Sequence, residues 1–160
     1  MSEGVRLLTK EDAAAMHVLH ATSFPPAEAW SAWAFQDTFA LSTTIGAAAE
    51  RDGQLAGMVV AQKVAPEADI LTMCVHPDFR RHGLATGVLN GLCGLLGPYG
   101  IGRLCLDVAA DNDGAIAFYN RMGFLEDGKR PNYYQRPEGK RVDAILMSRP
   151  IAGHIEETEA

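Results

Sequence analysis

The sequence is poor in basic residues. Its 160 residues include 14 Lys and Arg against 20 Asp and Glu, which gives a formal net charge of −6. Nucleic-acid binding depends on clustered Lys and Arg that neutralise phosphates, so this charge argues against a nucleic-acid partner. A negative surface suits a cationic partner such as an amine or a basic protein tail, although a modest charge of this sign also serves solubility alone.

Cysteine is scarce, and its spacing forms no motif. Cys74, Cys93 and Cys105 make no Cys-x-x-Cys pair, their number is odd, and each lies in an apolar run. This pattern predicts reduced, mostly buried thiols. A nucleophilic cysteine is the disfavoured alternative, because no residue at a fixed spacing could serve as its base. No group of His, Cys and Asp has metal-ligand spacing either, so we predict no metal site.

Signal-like and membrane-spanning segments are missing as well. Residues 1–4 offer neither a basic region nor an apolar core for a secretory signal, so we expect a cytoplasmic protein. The apolar stretch from Leu84 to Tyr99 is shorter than the roughly 20 residues of a membrane span, and it contains Thr86, Asn90 and four glycines. A buried amphipathic helix explains it better, and we expect no membrane partner.

Length and composition predict one globular domain. A chain of 160 residues is typical of a single domain, and an apolar share of 48% with a charged share of 21% is ordinary for a folded protein. The sequence has no internal repeat and no low-complexity block. The domain is predicted to span residues 1–152, and the acidic residues 153–160 are predicted to form a disordered tail.

Local patterns predict a mixed sheet covered by helices, an α/β or α+β fold. Helices are predicted to begin near Thr9, near Trp30, at Gly83 and at Asp113, the last capped by Asn112 or Asp113 itself. Asp-Gly at positions 52–53 predicts a tight hairpin turn, and the two tryptophans at 30 and 33 are predicted to pack in the core. The order differs from the alternating βα units of a doubly wound dinucleotide fold. Strands are predicted at residues 5–8, 44–50, 54–64, 69–75, 103–109, 124–129 and 142–148.

The most informative segment joins a strand to a helix through a basic turn. It reads His76-Pro77-Asp78-Phe79-Arg80-Arg81-His82-Gly83-Leu84-Ala85-Thr86. The first amides of a helix have no intrahelical partner, and the helix dipole makes that end positive. Gly83 and Ala85 would let a phosphate approach the backbone closely. The segment predicts a phosphate or pyrophosphate site that is neither a P-loop nor GxGxxG, with a solvated basic turn as the alternative.

Two blocks of the sequence resemble a known family. Arg80-x-x-Gly83-x-Ala85 is similar to the Arg/Gln-x-x-Gly-x-Gly/Ala signature of the GCN5-related N-acetyltransferases. Asn112, Ala115-Ile116-Ala117-Phe118-Tyr119 and Met122-Gly123-Phe124 are similar to that family's pattern Asn-x-x-Ala-x-x-x-Tyr-x-x-x-Gly-Phe. The resemblance covers residues 4–150. It implies a mixed sheet of about seven strands with about four helices, whose splayed central strands hold acetyl-CoA.

Further features resemble the RimI-type branch of the family, whose members acetylate the N-terminal amine of a ribosomal small-subunit protein. They are Phe24-Pro25-Pro26-x-x-x-Trp30, Arg130-x-Asn132-Tyr133-Tyr134 and Asp143-Ala144. The resemblance implies an acetyl-CoA-dependent N-acetyltransferase that acts on a protein N-terminus beginning with Ala. A small-molecule amine acetyltransferase and a non-catalytic acyl-CoA-binding module remain the alternatives. We expect a monomer or a weak dimer.

The resemblance also implies which residues bind the co-substrate. Backbone groups at the end of the 69–75 strand would pair with the pantetheine arm, and one amide there would polarise the thioester carbonyl. Amides of the following turn and helix would hold the pyrophosphate, and Asn112 would contact the pantetheine region. The full set is Met73, Cys74, Val75, Arg80, Arg81, His82, Gly83, Leu84, Ala85, Thr86 and Asn112.

Two residues stand at the family's catalytic positions. Tyr119 takes the place of the general acid that protonates the CoA thiolate. Asp107 replaces a glutamate in Leu106-Asp107-Val108; it is one methylene shorter, so it would act as a base through a water or would only shape the acceptor pocket. Tyr134 is expected to face the acceptor and Tyr133 to face away, because neighbouring side chains in a strand point to opposite faces.

Overall fold

The protein forms seven strands and four α-helices over the residues that the structure, a computed structural model, describes: 4–80 and 83–151. Arg81, His82 and the predicted tail at 153–160 lie outside the described residues. The strands are β1 (Val5–Leu7), β2 (Thr44–Arg51), β3 (Gln54–Val64), β4 (Glu67–Val75), β5 (Arg103–Ala109), β6 (Leu125–Gln135) and β7 (Arg141–Pro150). The helices are α1 (Ala13–Ser23), α2 (Ala32–Phe39), α3 (Leu84–Leu96) and α4 (Asp113–Arg121).

All seven strands form one sheet in the order β1-β2-β3-β4-β5-β7-β6. Every neighbouring pair is antiparallel except β4 and β5, which run parallel. The β2–β3 hairpin closes at Asp52 (φ 55°) and Gly53 (φ 77°), the positive φ angles that a two-residue turn of this kind requires. The predicted mixed sheet and hairpin are therefore confirmed, and β6 and β7 are longer than predicted.

Separate apolar cores cover the two faces of the sheet. On one face, α1 and α2 pack Met16, Leu19 and Phe35 against β3 and β4. On the other face, α3 and α4 cover the strands through a cluster that includes Val88 and Leu92 of α3. α3 has 13 residues, and within the described residues no helix is both long and apolar enough to cross a membrane.

The prediction that both tryptophans pack in the core is wrong for Trp33, which is 74% exposed. Ser31 caps α2, because its Oγ accepts the N–H of Ala34 at 3.0 Å. The helix therefore begins after Trp30, and the residue that it turns to the core is Phe35, which is fully buried. Trp30 itself packs against that core from the preceding loop.

The central strands β4 and β5 separate after only three residue pairs. The last pair joins Asp69 to Cys105, although both strands continue beyond it. The β3–β4 register shifts between the partners Thr72 and Ile70 of β4, which leaves Leu71 as an extra residue. Such a bulge bends its strand and increases the local twist. β4 therefore turns away from β5 just past the point where their pairing ends.

Gly46 in β2 tests how closely the core beneath α1 and α2 is packed. A Cβ there would lie 2.9 Å from Leu8 Cδ1 and 3.1 Å from both Phe39 Cζ and the Val59 carbonyl oxygen. We expect Gly46→Ala to lower the free energy of unfolding by about 1–3 kcal/mol through overpacking. Gly94→Ala in α3 is the matched control: no described residue lies within 4 Å of its Cβ position, so we expect a gain of about 0.4–1 kcal/mol. Urea unfolding measures both, and equal effects would contradict the packing described.

Candidate active site

Three adjoining cavities run from the gap between β4 and β5 to the start of α3. The gap cavity (about 400 Å³) is bordered by β4, β5, α4, β6 and the loop at residues 24–30. The middle cavity (about 570 Å³) shares Met73, Asn112 and Tyr119 with it. The helix cavity (about 280 Å³) shares Val75 and Ala85 with the middle one. Together they form an elongated groove that starts where the sheet opens and ends at a helix N-terminus.

The backbone of β4 presents polar groups to the gap at every second residue. The N–H of His76 donates to the Ala56 carbonyl of β3 at 2.8 Å, which sets the alternation of the ladder. In an antiparallel pair that alternation directs the N–H and C=O groups of Met73 and Val75 toward the β5 side. It directs those of Cys74 toward β3. Of the three residues expected to pair with a ligand, Met73 and Val75 have the required geometry and Cys74 does not.

The start of α3 offers unpaired amides beside open space. Gly83 is the N-cap, with φ 77°, and the N–H of Gly87 donates to its carbonyl at 2.9 Å. By helix geometry the N–H groups of Leu84, Ala85 and Thr86 precede the first such bond. Among the residues that the structure describes, nothing lies within 4 Å of the position that a Cβ at Gly83 would take. A phosphate group can therefore approach the backbone here, whereas the side chain of Leu84 is buried in the core.

Arg80 is tied to the end of β4. Its Nε donates to the carbonyl oxygen of Val75 at 3.2 Å, and its Nη2 donates to Ser23 Oγ at 3.2 Å. The side chain borders both the middle and the helix cavities. The edge of β4 beyond Asp69, which has no pairing with β5, is called the bared edge below. The positive charge of Arg80 therefore lies along the groove between this bared edge and the start of α3.

Tyr119 lies where the gap and middle cavities meet. α4 carries it, and Asn112 caps that helix by accepting the N–H of Ala115 on Oδ1 at 3.2 Å. The Tyr119 hydroxyl donates a weak bond to Met73 Sδ at 3.9 Å. Burial raises the pKa of Tyr119 to about 12. The phenol therefore keeps its proton at neutral pH beside the bared edge of β4.

Asp107 approaches the same gap from the opposite face of the sheet. Leu106 and Val108 pack in the core formed by α3 and α4, so the alternation of β5 turns Asp107 the other way. Asp107 borders the gap cavity, and its Oδ2 lies 3.9 Å from Arg130 Nη1. A carboxylate on one face and a phenol on the other can thus serve a single reacting group between them.

The outer wall of the gap cavity comes from β6. The register of β6 and β7 shifts between Arg130 and Tyr134, and Asn132 in this bulge has φ 54°. Asp143 Oδ1 accepts the N–H of Asn132 at 3.0 Å and holds the bulge. Tyr134 borders the cavity, whereas Tyr133 is 48% exposed and is not among its lining residues. The two rings nevertheless meet edge to face with centroids 5.1 Å apart. The prediction that they point to opposite faces is therefore wrong, because the register shift between Arg130 and Tyr134 interrupts the alternation of the strand.

Several residues of the gap cavity carry no sequence signal. Arg136 borders the cavity and forms an ion pair with Asp111 in the β5–α4 loop. Glu28, His20 and Thr72 also border it. Glu28 occupies an unspecified position of the Phe24–Trp30 pattern, the other three lie in no quoted motif, and only the packing of separate elements brings the four together.

The three cysteines behave as structural thiols. Burial raises the pKa of Cys74 and of Cys105 to about 12 and also raises that of Cys93. A thiol with such a pKa is protonated at neutral pH and is a poor nucleophile.

In residues 4–80 and 83–151 no group of three or more His, Cys, Asp and Glu side chains could hold a metal ion.

Comparison with known proteins agrees with this architecture. A profile of the acetyltransferase (GNAT) family matches residues 12–124. The [ribosomal protein bS18]-alanine N-acetyltransferase of Escherichia coli K12 is 39% identical over 102 residues, which cover 64% of this chain and 68% of the relative. Its Haemophilus ducreyi counterpart is 33% identical over 99 residues, or 62% of this chain and 68% of the relative.

Solved structures show the same fold. The crystal structure of the ribosomal-protein-S18-alanine N-acetyltransferase from Escherichia coli superposes with a TM-score of 0.82 at 32% identity and covers 92% of each chain. Arabidopsis thaliana NAA60 in complex with acetyl-CoA has a TM-score of 0.78 at 23% identity, covering 93% of this chain and 98% of that one. The chain therefore belongs to the acetyltransferase (GNAT) family.

Proposed function

We propose that this protein transfers the acetyl group of acetyl-CoA to the N-terminal α-amine of a protein, with a ribosomal small-subunit protein that begins with Ala as the acceptor. One observation carries the proposal. The bared backbone edge of β4 at Met73 lies between Tyr119 on one face of the sheet and Asp107 on the other. An acyl transfer needs these three groups: a donor to the carbonyl oxygen, a proton donor for the leaving group and a proton acceptor for the amine.

The groove fits acetyl-CoA, which supplies the acetyl group as an activated thioester. The N–H of Val75 faces the gap as that of Met73 does, so it offers a hydrogen bond to a carbonyl of the pantetheine arm, while the Val75 carbonyl accepts from Arg80 and Ser23. The first amides of α3, at Leu84, Ala85 and Thr86, and the guanidinium of Arg80 offer bonds and charge to the pyrophosphate. Asn112 borders both the gap cavity and the middle cavity, and its Oδ1 caps α4. In this assignment it lies beside the pantetheine arm.

The Met73 N–H is assigned to the thioester carbonyl oxygen. A backbone donor that is already directed at the gap needs no reorganisation as negative charge develops on that oxygen. Tyr119 holds its hydroxyl proton beside the same residue and gives it to the departing sulfur. The groups that stabilise the oxygen and the sulfur are thus held by β4 and α4.

Asp107 is assigned to the amine. A peptide α-amine has an ordinary pKa of about 7.7–8.0, so roughly a tenth to a sixth of it is already neutral at pH 7. Removal of the proton from the attacking nitrogen then requires only a carboxylate at hydrogen-bond distance or one water away. The short aspartate side chain favours the route through a water, and Arg130 holds the carboxylate at the cavity wall.

The acceptor is inferred from the relatives and from the cavity wall. The Escherichia coli relative is named [ribosomal protein bS18]-alanine N-acetyltransferase, and that name specifies a ribosomal protein with an alanine acceptor. In this chain the loop at residues 24–30 and the end of β6 both border the gap cavity, the loop through Glu28 and the strand through Tyr134. An open slot between a loop and a strand suits the end of an extended peptide, and Glu28 adds negative charge for a basic one.

A panel of acceptors tests the proposed function. We expect CoA release from acetyl-CoA with Ala-starting peptides and none with the same peptides after their α-amines are blocked, because the nucleophile is then removed. Free lysine and polyamines serve as controls. Turnover of the small amines without the peptides would favour a small-molecule acetyltransferase. Acetyl-CoA binding without turnover of any amine would favour a binding module.

Replacement of Tyr119 by Phe tests the general acid. We expect kcat to fall by about 10²–10⁴-fold with little change in the dissociation constant of acetyl-CoA, since only a proton donor is lost. The acid form of Tyr119 is lost only as the pH rises through a pKa of about 12, so the wild type should show no alkaline decline in kcat from this group up to about pH 10. Tyr99→Phe, at an exposed tyrosine that borders none of the three cavities, is the control. Unchanged kcat in Tyr119→Phe would remove this residue from the mechanism.

Asp107 is tested with two replacements. Asp107→Asn keeps the shape and removes the proton acceptor, so we expect kcat/KM to fall by about 10²-fold or more. Asp107→Glu restores a carboxylate with a longer reach, and we expect it to keep most of the activity. Asp127→Asn removes a nearby charge that does not border the gap cavity and is the control. If Asp107→Asn and Asp127→Asn have equal activity, the base lies elsewhere.

A further inference from the structure

His20 is a buried titratable group in the wall of the gap cavity that the proposed chemistry does not use. It lies near the end of α1, is 1% exposed and borders the cavity. A buried imidazole needs a hydrogen-bond partner for each ring nitrogen, so the choice of partners is what is informative. His20 has two, and they connect different parts of the site.

The two hydrogen bonds determine which nitrogen carries the proton. The backbone N–H of Trp30 can only donate, and it donates to His20 Nδ1 at 3.0 Å. Nε2 therefore carries the hydrogen and donates to Thr72 Oγ1 at 2.8 Å. Burial lowers the pKa of His20 to about 4, so the ring keeps this neutral form at physiological pH. One imidazole thus links the 24–30 loop to β4.

Aromatic contacts hold the ring in this orientation. Phe24 stacks on it with a centroid distance of 4.1 Å and an interplanar angle of 16°. Phe35 meets it edge-on at 5.5 Å, and Trp30 lies at 5.7 Å. Phe24 and Trp30 are the two ends of the loop that borders the acceptor side of the gap cavity. Both ends of that loop therefore lie against one ring.

The other end of the link is next to the reacting centre. Thr72 directly precedes Met73, the residue whose N–H faces the gap, and it lies beside the bulge at Leu71. A shift of the loop relative to β4 would move the acceptor wall relative to that N–H. Misplacement of a reacting group by about 1 Å can cost on the order of 10²-fold in rate.

We propose that His20 is a positioning residue for the acceptor: through Trp30 and Thr72 it holds the 24–30 loop at a set distance from the edge of β4, and so sets where the acceptor amine stands. The inference rests on the proposed function for the identity of the acceptor. His20 itself neither touches the thioester nor transfers a proton, and its two hydrogen bonds act on the loop and on the strand.

Two replacements separate the two bonds. In His20→Asn the side-chain oxygen can occupy the place of Nδ1 and keep the bond from Trp30, while the bond to Thr72 is lost. In His20→Gln the amide nitrogen can reach the place of Nε2 and keep the bond to Thr72, while the bond from Trp30 is lost. We expect both variants to raise the acceptor KM by about tenfold or more with the acetyl-CoA dissociation constant unchanged, because the loss of either bond disconnects the 24–30 loop from β4.

Phe35→Leu is the matched control. Phe35 is fully buried and contacts the same ring, but it does not border the gap cavity. We expect it to lower the melting temperature without raising the acceptor KM. Equal KM values for all three variants would reduce His20 to a core residue and overturn the proposal. A loss of kcat at unchanged KM in His20→Gln would assign His20 to the chemistry and would overturn it as well.

Hydrogen exchange of the Trp30 amide tests the link independently of activity. We expect slow exchange in the wild type and in His20→Asn, and at least about tenfold faster exchange in His20→Gln. Fast exchange in the wild type would overturn the proposal without any variant. If the wild type turned over no amine, the proposed function and the acceptor role would both fail, and the exchange rates would still show whether His20 holds the loop.

Discussion

The early separation of β4 and β5 is the constraint on which the site depends. Backbone N–H and C=O groups in a sheet interior normally pair with a neighbouring strand, and leaving them unpaired away from water is costly. Here the pairing ends at Asp69 and Cys105, where the bulge at Leu71 bends β4 while β5 stays paired with β7 along its whole length. The bared edge can be satisfied by a ligand that supplies amide groups, and the cavities along it provide room for one.

The gap also opens the sheet to both of its faces. Tyr119 belongs to the face covered by α3 and α4, and Asp107 to the face that carries α1 and α2. In a continuous sheet, groups on opposite faces could not act on one atom. Because the strands part, the thioester that we propose to bind at Met73 would be open to attack from one face and to protonation from the other.

Burial shifts the pKa values of three groups around the groove in the direction that favours their neutral forms. It raises the pKa of Tyr119 and of Cys74, and it lowers that of His20, because desolvation disfavours the charged form of each. Tyr119 can therefore hold a proton, Cys74 does not compete as a nucleophile, and His20 acts through fixed hydrogen bonds. Charge at the gap is left to Asp107 and to the rim, where Glu28 and Arg136 lie.

The sequence by itself determined the elements and the cofactor motif. Periodicity and turn chemistry located the β2–β3 hairpin, α3 with its glycine cap and the start of α4, because these signals depend on neighbours close in the chain. Only the tertiary structure decided that Cys74 turns its backbone to β3, that Trp33 faces solvent, and that His20 meets Thr72 across 52 positions. Strand register, the exact start of a helix and contacts between distant elements depend on packing of the whole chain, which no local pattern encodes.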